Sequence, residues 1–227
     1  MARTLNADAR TLRRDAILDV AERLIRTRGY EGISVQDVQD ELGVSRGAIY
    51  HYFASKADLV EAVVERIAGG IEVVLTGIAD DPTLSAPAKL QRVFEAAGAW
   101  KAQRRDLLVA LLQTWFSNDN ARVRDRLLTI SGRRLGPVIA RIVRQGCADG
   151  TFTATYPDEA ARILVALLNG SGDGIGRMLL DSEAGAVVFE DIERLVHAHD
   201  EAIERILGLA PGSFQMIDPP LLRFWFR

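Results

Sequence analysis

Apolar residues recur at three- and four-residue intervals along most of the chain, and the phase of that recurrence divides it into helices. Leu12, Ala16, Ile17, Val20, Ala21, Leu24 and Ile25 form one stripe, which ends at Gly29. Ser34 then opens a short second helix: its hydroxyl suits the free amides of a helix start, and Asp37 stands where a capping-box acid favours the positive helix end. Val35, Val38 and Leu42 turn inward, and Gly43 supplies a residue at ease in the left-handed conformation. Ser45 opens a third helix almost at once. Lys56 through Ala68 predicts a fourth after a break at Ser55.

Beyond Gly69 the predicted helices are longer. Residues 85–104 place Leu90, Val93, Phe94, Ala97 and Trp100 on one face. Residues 106–117 are apolar nearly all round, the pattern of a buried helix. Residues 120–148 form a long segment in which Gly132 and Gly136-Pro137 predict a kink. A turn at Asp149-Gly150 and an extended TFTATY link lead to Pro157, the expected first position of a helix over 158–180. Ile192, Leu195, Val196, Ala202, Ile203 and Ile206 mark a last amphipathic helix over 188–207, and residues 211–227 read as an irregular, Pro-interrupted tail. No repeat and no strand pattern emerges. The reading is all-α, with about nine helices.

Composition narrows the class without changing the fold. The 227 residues are 48% apolar and 26% charged, near the averages of globular proteins, which excludes disordered and collagenous chains. A chain of this length buries roughly 70% of its extended-chain surface and needs no staple. Cys147 is the single cysteine, so an internal disulfide or a cysteine metal cluster is excluded. No apolar run reaches the roughly 18–20 residues of a membrane span, and the N-terminus lacks a signal-peptide core, so a cytoplasmic protein is expected. Net charge is −3, yet Arg3, Arg10, Arg13 and Arg14 face only Asp8 within residues 1–14. Contact with a polyanion must therefore be local and geometric.

The stretch SVQDVQDELGVSRGAIYHYF (Ser34 to Phe53) carries the candidate chemistry. Two short helices joined by Gly43-Val44-Ser45 match a helix-turn-helix, whose second helix enters the DNA major groove. Val44 wedges between the helices. Ile49 and Phe53 face the core, which leaves Arg46, Gly47, Ala48, Tyr50 and His51 toward solvent or DNA.

The run AILDVAERLIRTRGYEGISVQDVQDELGVSRGAIYHYFASKADLVEAVVE resembles the N-terminal DNA-binding domain of tetracycline-repressor (TetR) type regulators. The resemblance is dense over about residues 14–66, with GVSRGAIYHYFASKADL combining the turn, the aromatic run and the lysine in the family's order. Gln39 departs from it, standing where the family usually keeps a small alanine. The resemblance implies phosphate contacts by Ser34, Tyr50, His51 and Lys56. Arg46 becomes the candidate base reader, because a guanidinium donates a bidentate pair to guanine. Gly47 lets the backbone approach closely, Ala48 meets a thymine methyl, Gln36 reaches a phosphate or base edge, and Ser45 completes the set. The N-terminal arginines read either as an arm along the DNA or as a solvated tail.

The implied organisation is a three-helix DNA-binding domain with its arm over 1–55, a ligand-binding and dimerisation domain over 56–210 (56–68 connecting), and a tail over 211–227. One reading head covers too few base pairs for selectivity, so a homodimer on a palindromic operator is expected. The resemblance places its seam on the last two long helices, where Gly170, Gly172, Gly174 and Gly176 mark either close helix approach or a break. It also implies a cavity for an apolar or aromatic effector. Phe94, Trp100, Leu111, Trp115, Phe116 and Met178 are its candidate walls, though such residues equally make plain core. Asn118, Asn169 and Asp173 are polar handles or surface residues. His51, His197 and His199 form no catalytic or metal-ligating motif, and no cofactor signature appears, which excludes the common motif-bearing enzymes. The expected function is a ligand-released repressor; the alternative is a constitutive dimeric DNA-binding protein without an effector.

Overall fold

The computed structural model describes residues 2–115, 121–183 and 185–226, with the side chains of 2–8, 46, 114–115, 121–128, 131 and 183 outside the description. The described residues hold ten helices: α1 (Ala2–Arg28), α2 (Val35–Leu42), α3 (Arg46–Tyr50), α4 (Lys56–Asp80), α5 (Ala86–Ala102), α6 (Arg105–Trp115), α7 (Ala121–Asp149), α8 (Pro157–Glu183), α9 (Phe189–Leu207) and α10 (Pro219–Trp225). They gather into two compact units, one of residues 1–67 with 106–127 and one of 68–105 with 128–227.

In the first unit the α1 stripe starts later than its spacing predicts. Leu12 is 71% exposed and Ala16 is also exposed, whereas Ile17, Leu18, Ala21, Leu24 and Ile25 are buried. They pack with Val38, Ile49 and Phe53, and with Leu59, Val60 and Val63 from the first turns of α4. That burial draws residues 56–67 into this unit, beyond the boundary at 55 that the motif suggests. The helix expected over 106–117 belongs here too, but only Leu107 is buried while residues 108–112 are half-buried. Arg66 adds a polar clasp, donating to Asp19 at 2.6 Å and to Glu22 at 2.6 Å. These groups are partly exposed, so the clasp contributes on the order of 0.5–1 kcal/mol.

The second unit is built on Leu75, Leu90, Val93, Ile139, Ile142, Leu164, Ile192, Val196 and Ile203. Its helices run through every break the sequence suggests. α4 continues past Gly69-Gly70, where burial of Leu75 and Ala79 offsets about 1 kcal/mol of lost propensity per glycine. α7 continues through Gly136-Pro137, with Pro137 on an exposed face. α8 is unbroken from Pro157 to Glu183, so its glycines end no helix. α8 has the length and composition of a membrane span, yet Leu164 and Leu179 are buried in the protein and the helix packs along α9. Lys89, only 4% exposed, donates to the Ala79 carbonyl at 2.7 Å and to Gln145 Oε1 at 2.7 Å, tying α4, α5 and α7.

The expected tail is instead an ordered strap. Phe214, Met216 and Leu222 are buried in the second core, and residues 219–225 form α10, started by Asp218, which accepts from the Leu221 amide at 3.0 Å. Two buried carboxylates of α9 hold the strap backbone. Glu204 accepts from the Phe214 amide at 3.0 Å and Asp200 from the Met216 amide at 2.7 Å. Pro219-Pro220, which reads as an interruption, is the first turn of that helix, where missing N–H groups cost nothing.

Burial holds the Asp200 carboxyl above its ordinary range, against the opposing pull of the Met216 amide and His197. A carboxyl raised in the folded state stabilises fully below its unfolded value of about 3.9, and that contribution is lost as pH rises through the folded value. Asp200→Asn keeps an acceptor for Met216 and removes this loss. The variant is expected to unfold at higher urea than the parent near neutral pH, with the gap closing as pH falls toward about 4. A gap that widens on acidification contradicts this account.

Candidate nucleic-acid interface

The local geometry of residues 28–56 follows from a few polar contacts around an apolar anchor. Ser34 caps α2: its Oγ accepts from the Asp37 amide at 3.1 Å, and Asp37 accepts from the Ser34 amide at 2.7 Å and from the Ser34 hydroxyl. The hydroxyl, then the amide of Ser34, and Arg28 at 3.2 Å, hold the Asp37 carboxyl below the usual carboxylate range. The start of α2 is therefore a fixed anionic cap. α2 ends at Gly43 with φ +62°, a conformation that strains residues bearing a Cβ. The Gly43 and Val44 amides return to the carbonyls of Asp40 and Gln39, both at 3.3 Å. Half-buried Val44 packs against the first core as the predicted wedge.

Ser45 stands at the start of α3 without a side-chain cap bond. Ile49 is fully buried and Phe53 is 4% exposed, so the five-residue helix is held from beneath. Its outer side carries Gly47, Tyr50 (42% exposed) and His51, with Ala48 half-buried beside them. A Cβ built on Gly47 would meet no atom within 4 Å, so the space over this backbone is open. The Arg46 side chain lies outside the described residues. His51 packs edge-on against Tyr52 at 5.4 Å, and the Arg14 guanidinium lies 5.6 Å from the centre of the Phe53 ring.

Three residues expected to reach a polyanion are engaged within the protein. Lys56 Nζ lies 4.1 Å over the Tyr30 ring and 3.9 Å from Glu31. Burial, and then the Glu31 charge, hold the Tyr30 phenol above its ordinary value, so that ring is neutral under Lys56. Gln36 donates to Asp40 at 2.7 Å, and the Ser34 hydroxyl is committed to Asp37. Residues 2–28 are helical, so the N-terminal arginines ride on α1 and form no extended arm; Arg10 and Arg13 are exposed there. Arg66, which braces α4, escapes the sequence reading, and Arg14, read there as part of an arm or tail, lies instead against Phe53. The Asp19/Glu22 pair on the polar side of α1 is the signal that could have located Arg66.

The described members of the expected effector walls fall in both units. Leu111 packs against the first core. Phe94 lines a small apolar void in the second unit, with Leu90, Ile139, Leu164, Leu168 and Ile203, that has no volume a water molecule could occupy. Trp100 is stacked under the Arg104 guanidinium at 4.0 Å. Asn169 lies on an open groove of about 870 Å³ between α7 and α8, rimmed by Arg141, Arg144 and Arg162. Asp173 and Met178 are half-buried elsewhere on α8, and the Trp115 side chain, Phe116 and Asn118 lie outside the described residues.

Residues 17–63 match the family described as bacterial regulatory proteins, tetR family. The HTH-type transcriptional repressor KstR2 of Rhodococcus jostii is 32% identical over 154 residues, covering 66% of this chain and 72% of that protein. The HTH-type transcriptional repressor AcnR of Corynebacterium glutamicum is 34% identical over 84 residues, 33% of this chain and 45% of that one. In fold, the chain is similar to the transcriptional regulator FadR of Bacillus subtilis, solved in complex with stearoyl-CoA. The TM-score is 0.60 at 19% identity, covering 85% of this chain and 96% of that one.

Gln39 presents a testable flaw at the α2 end. Its side-chain oxygen is buried with no hydrogen-bond partner among the described residues. A buried orphan acceptor costs about 1–3 kcal/mol, and alanine is the better helix former. Gln39→Ala is expected to raise unfolding stability by roughly 1 kcal/mol in urea titration. A loss of stability would show that the amide is needed to space the two helices.

Proposed function

The chain belongs to the tetR family of bacterial regulatory proteins, and we propose that it is a repressor held as a dimer on a palindromic operator until a small apolar or aromatic molecule releases it. As a member of that family it is a DNA-binding transcriptional regulator and not an enzyme. The observation that carries the reading is α3, a short helix buried through Ile49 and Phe53 with Gly47, Tyr50 and His51 turned outward. In the groove, Arg46 reads a guanine edge and Ala48 a thymine methyl, with the Gly47 backbone close to the DNA. Tyr50, His51, Ser34 and Lys56 bear on phosphate, and Gln36 and Ser45 border the same face. Lys56 reaches a phosphate by leaving Tyr30, an exchange of one favourable contact for a stronger charged one. Its target being chromosomal, the protein works in the cytoplasm.

Two copies pair through α8 and α9. Ile163, 55% exposed, is followed at helical spacing by exposed Ala166 and Gly170. A Cβ at Gly170 or Gly172 would meet nothing within 4 Å in the monomer, which leaves room for another helix to come close. The stearoyl-CoA bound by the B. subtilis regulator supports an effector with a substantial apolar portion acting in the second unit. A second reading, a DNA-binding dimer without an effector, is favoured by the closed interior of that unit, where the void beside Phe94 admits no water.

Selection from a pool of random duplexes tests the reading. The protein is expected to enrich a palindrome. Against that palindrome Arg46→Ala loses on the order of 1–3 kcal/mol and relaxes preference at one base position. Tyr50→Phe weakens all duplexes similarly. Equal loss across sequences for Arg46→Ala makes it a phosphate contact, and failure to enrich any sequence contradicts the function.

A further inference from the structure

The strap after α9 is built unlike the core it covers. Its apolar side chains, Phe214, Met216 and Leu222, are buried, but the groups fastening its backbone are charged and dehydrated. Asp200 is 7% exposed and Glu204 4% exposed, and each spends its burial on one strap amide, Met216 and Phe214. Among the described residues Asp200 has His197, at 3.8 Å, as its one ion-pair partner, and no Lys or Arg pairs with Glu204. Burying a carboxylate without a cation is costly. Opening the strap returns both carboxylates to water, which offsets part of the cost of exposing its apolar residues. The closed state is thus held less tightly than its apolar area alone implies. Left-handed glycines, Gly208 (φ +70°) and Gly212 (φ +76°), bound the turn from which the strap departs.

The apolar void is linked to the strap through Phe94, one of the void's walls and at the same time in edge-to-face contact with Phe214, ring centres 5.0 Å apart. Resting on the reading that an apolar effector acts in the second unit, we infer that residues 210–226 form the lid of its site, and that such a ligand enters by displacing Phe214 and occupies the enlarged void between α5, α7, α8 and α9. The lid keeps that space shut in the free protein, so apparent affinity is reduced by the fraction of molecules that are open.

A disulfide across the lid tests this. A Cβ on Gly98 of α5 would stand 2.6 Å from Leu221 Cδ2 of α10, so these two positions face each other across the lid and carry a Gly98→Cys, Leu221→Cys pair. The full-length protein carries this pair on a Cys147→Ser background, and the probe is the neutral fluorophore N-phenyl-1-naphthylamine. The reduced protein is expected to bind it saturably, the oxidised protein at least about tenfold more weakly because the open fraction is removed, and dithiothreitol to restore binding. Equal affinity in both redox forms overturns the lid, and no saturable binding in the reduced form overturns the site. Duplex binding by the same samples reports on the regulator reading separately, since the probe titration contains no DNA.

Discussion

A five-residue helix has no stability of its own, because nucleation fixes several residues before enough hydrogen bonds repay it. α3 exists only because Ile49 and Phe53 are buried against α1 and the first turns of α4, and everything expected of this protein on DNA depends on that anchorage. The left-handed turn at Gly43 and the cap of Ser34 and Asp37 set where α3 begins; the Arg66 clasp and Arg14 over Phe53 brace what it stands on. Side chains on such a helix meet a duplex already placed, so little ordering entropy is charged against binding.

The second unit follows a different principle. Its interior is closed and apolar, with charge tolerated at Lys89, Asp200 and Glu204, where each polar group holds a backbone atom of another segment. Those three fix the end of α4 and the strap. An effector that turns a regulator from 99:1 bound to 1:99 must prefer one state by about 5.5 kcal/mol. A pocket that is prepared and open gives little of that difference, since it accepts ligand in either state. One that must be opened links occupancy to a change of structure.

Much of this was legible in the residues, wherever one local rule decides. Ser34 with Asp37, Gly43 at the end of α2, inward Ile49 and Phe53, and Pro157 at a helix start all fall where capping chemistry and periodicity put them. What escaped depends on tertiary company. The glycines of α4 and α8 and Pro137 predict interruptions by propensity alone, but burial of Leu75 and Leu164 carries those helices through. Leu12 keeps the period of its stripe yet stands beyond the partners that would cover it. Lys56 has the spacing of a free cation, and only the fold brings Tyr30 and Glu31 to it. The strap was hidden because the prolines read as interruptions of an irregular tail until a core is present for Phe214 and Leu222 to fill. Cavity walls and core walls are the same residue types, so Phe94 and Leu111 could not be sorted without coordinates.

Amide hydrogen exchange of the free protein over residues 51–53 tests the central claim most directly. The His51 amide donates to the Gly47 carbonyl at 3.1 Å, and those of Tyr52 and Phe53 to the Ile49 carbonyl at 2.8 and 3.0 Å. If α3 is held in place before any duplex arrives, these amides exchange as slowly as those of Leu24 and Ile25 in α1. Exchange at the rate of an unstructured peptide, slowed only on adding DNA, would contradict the account and make the reading helix a product of binding.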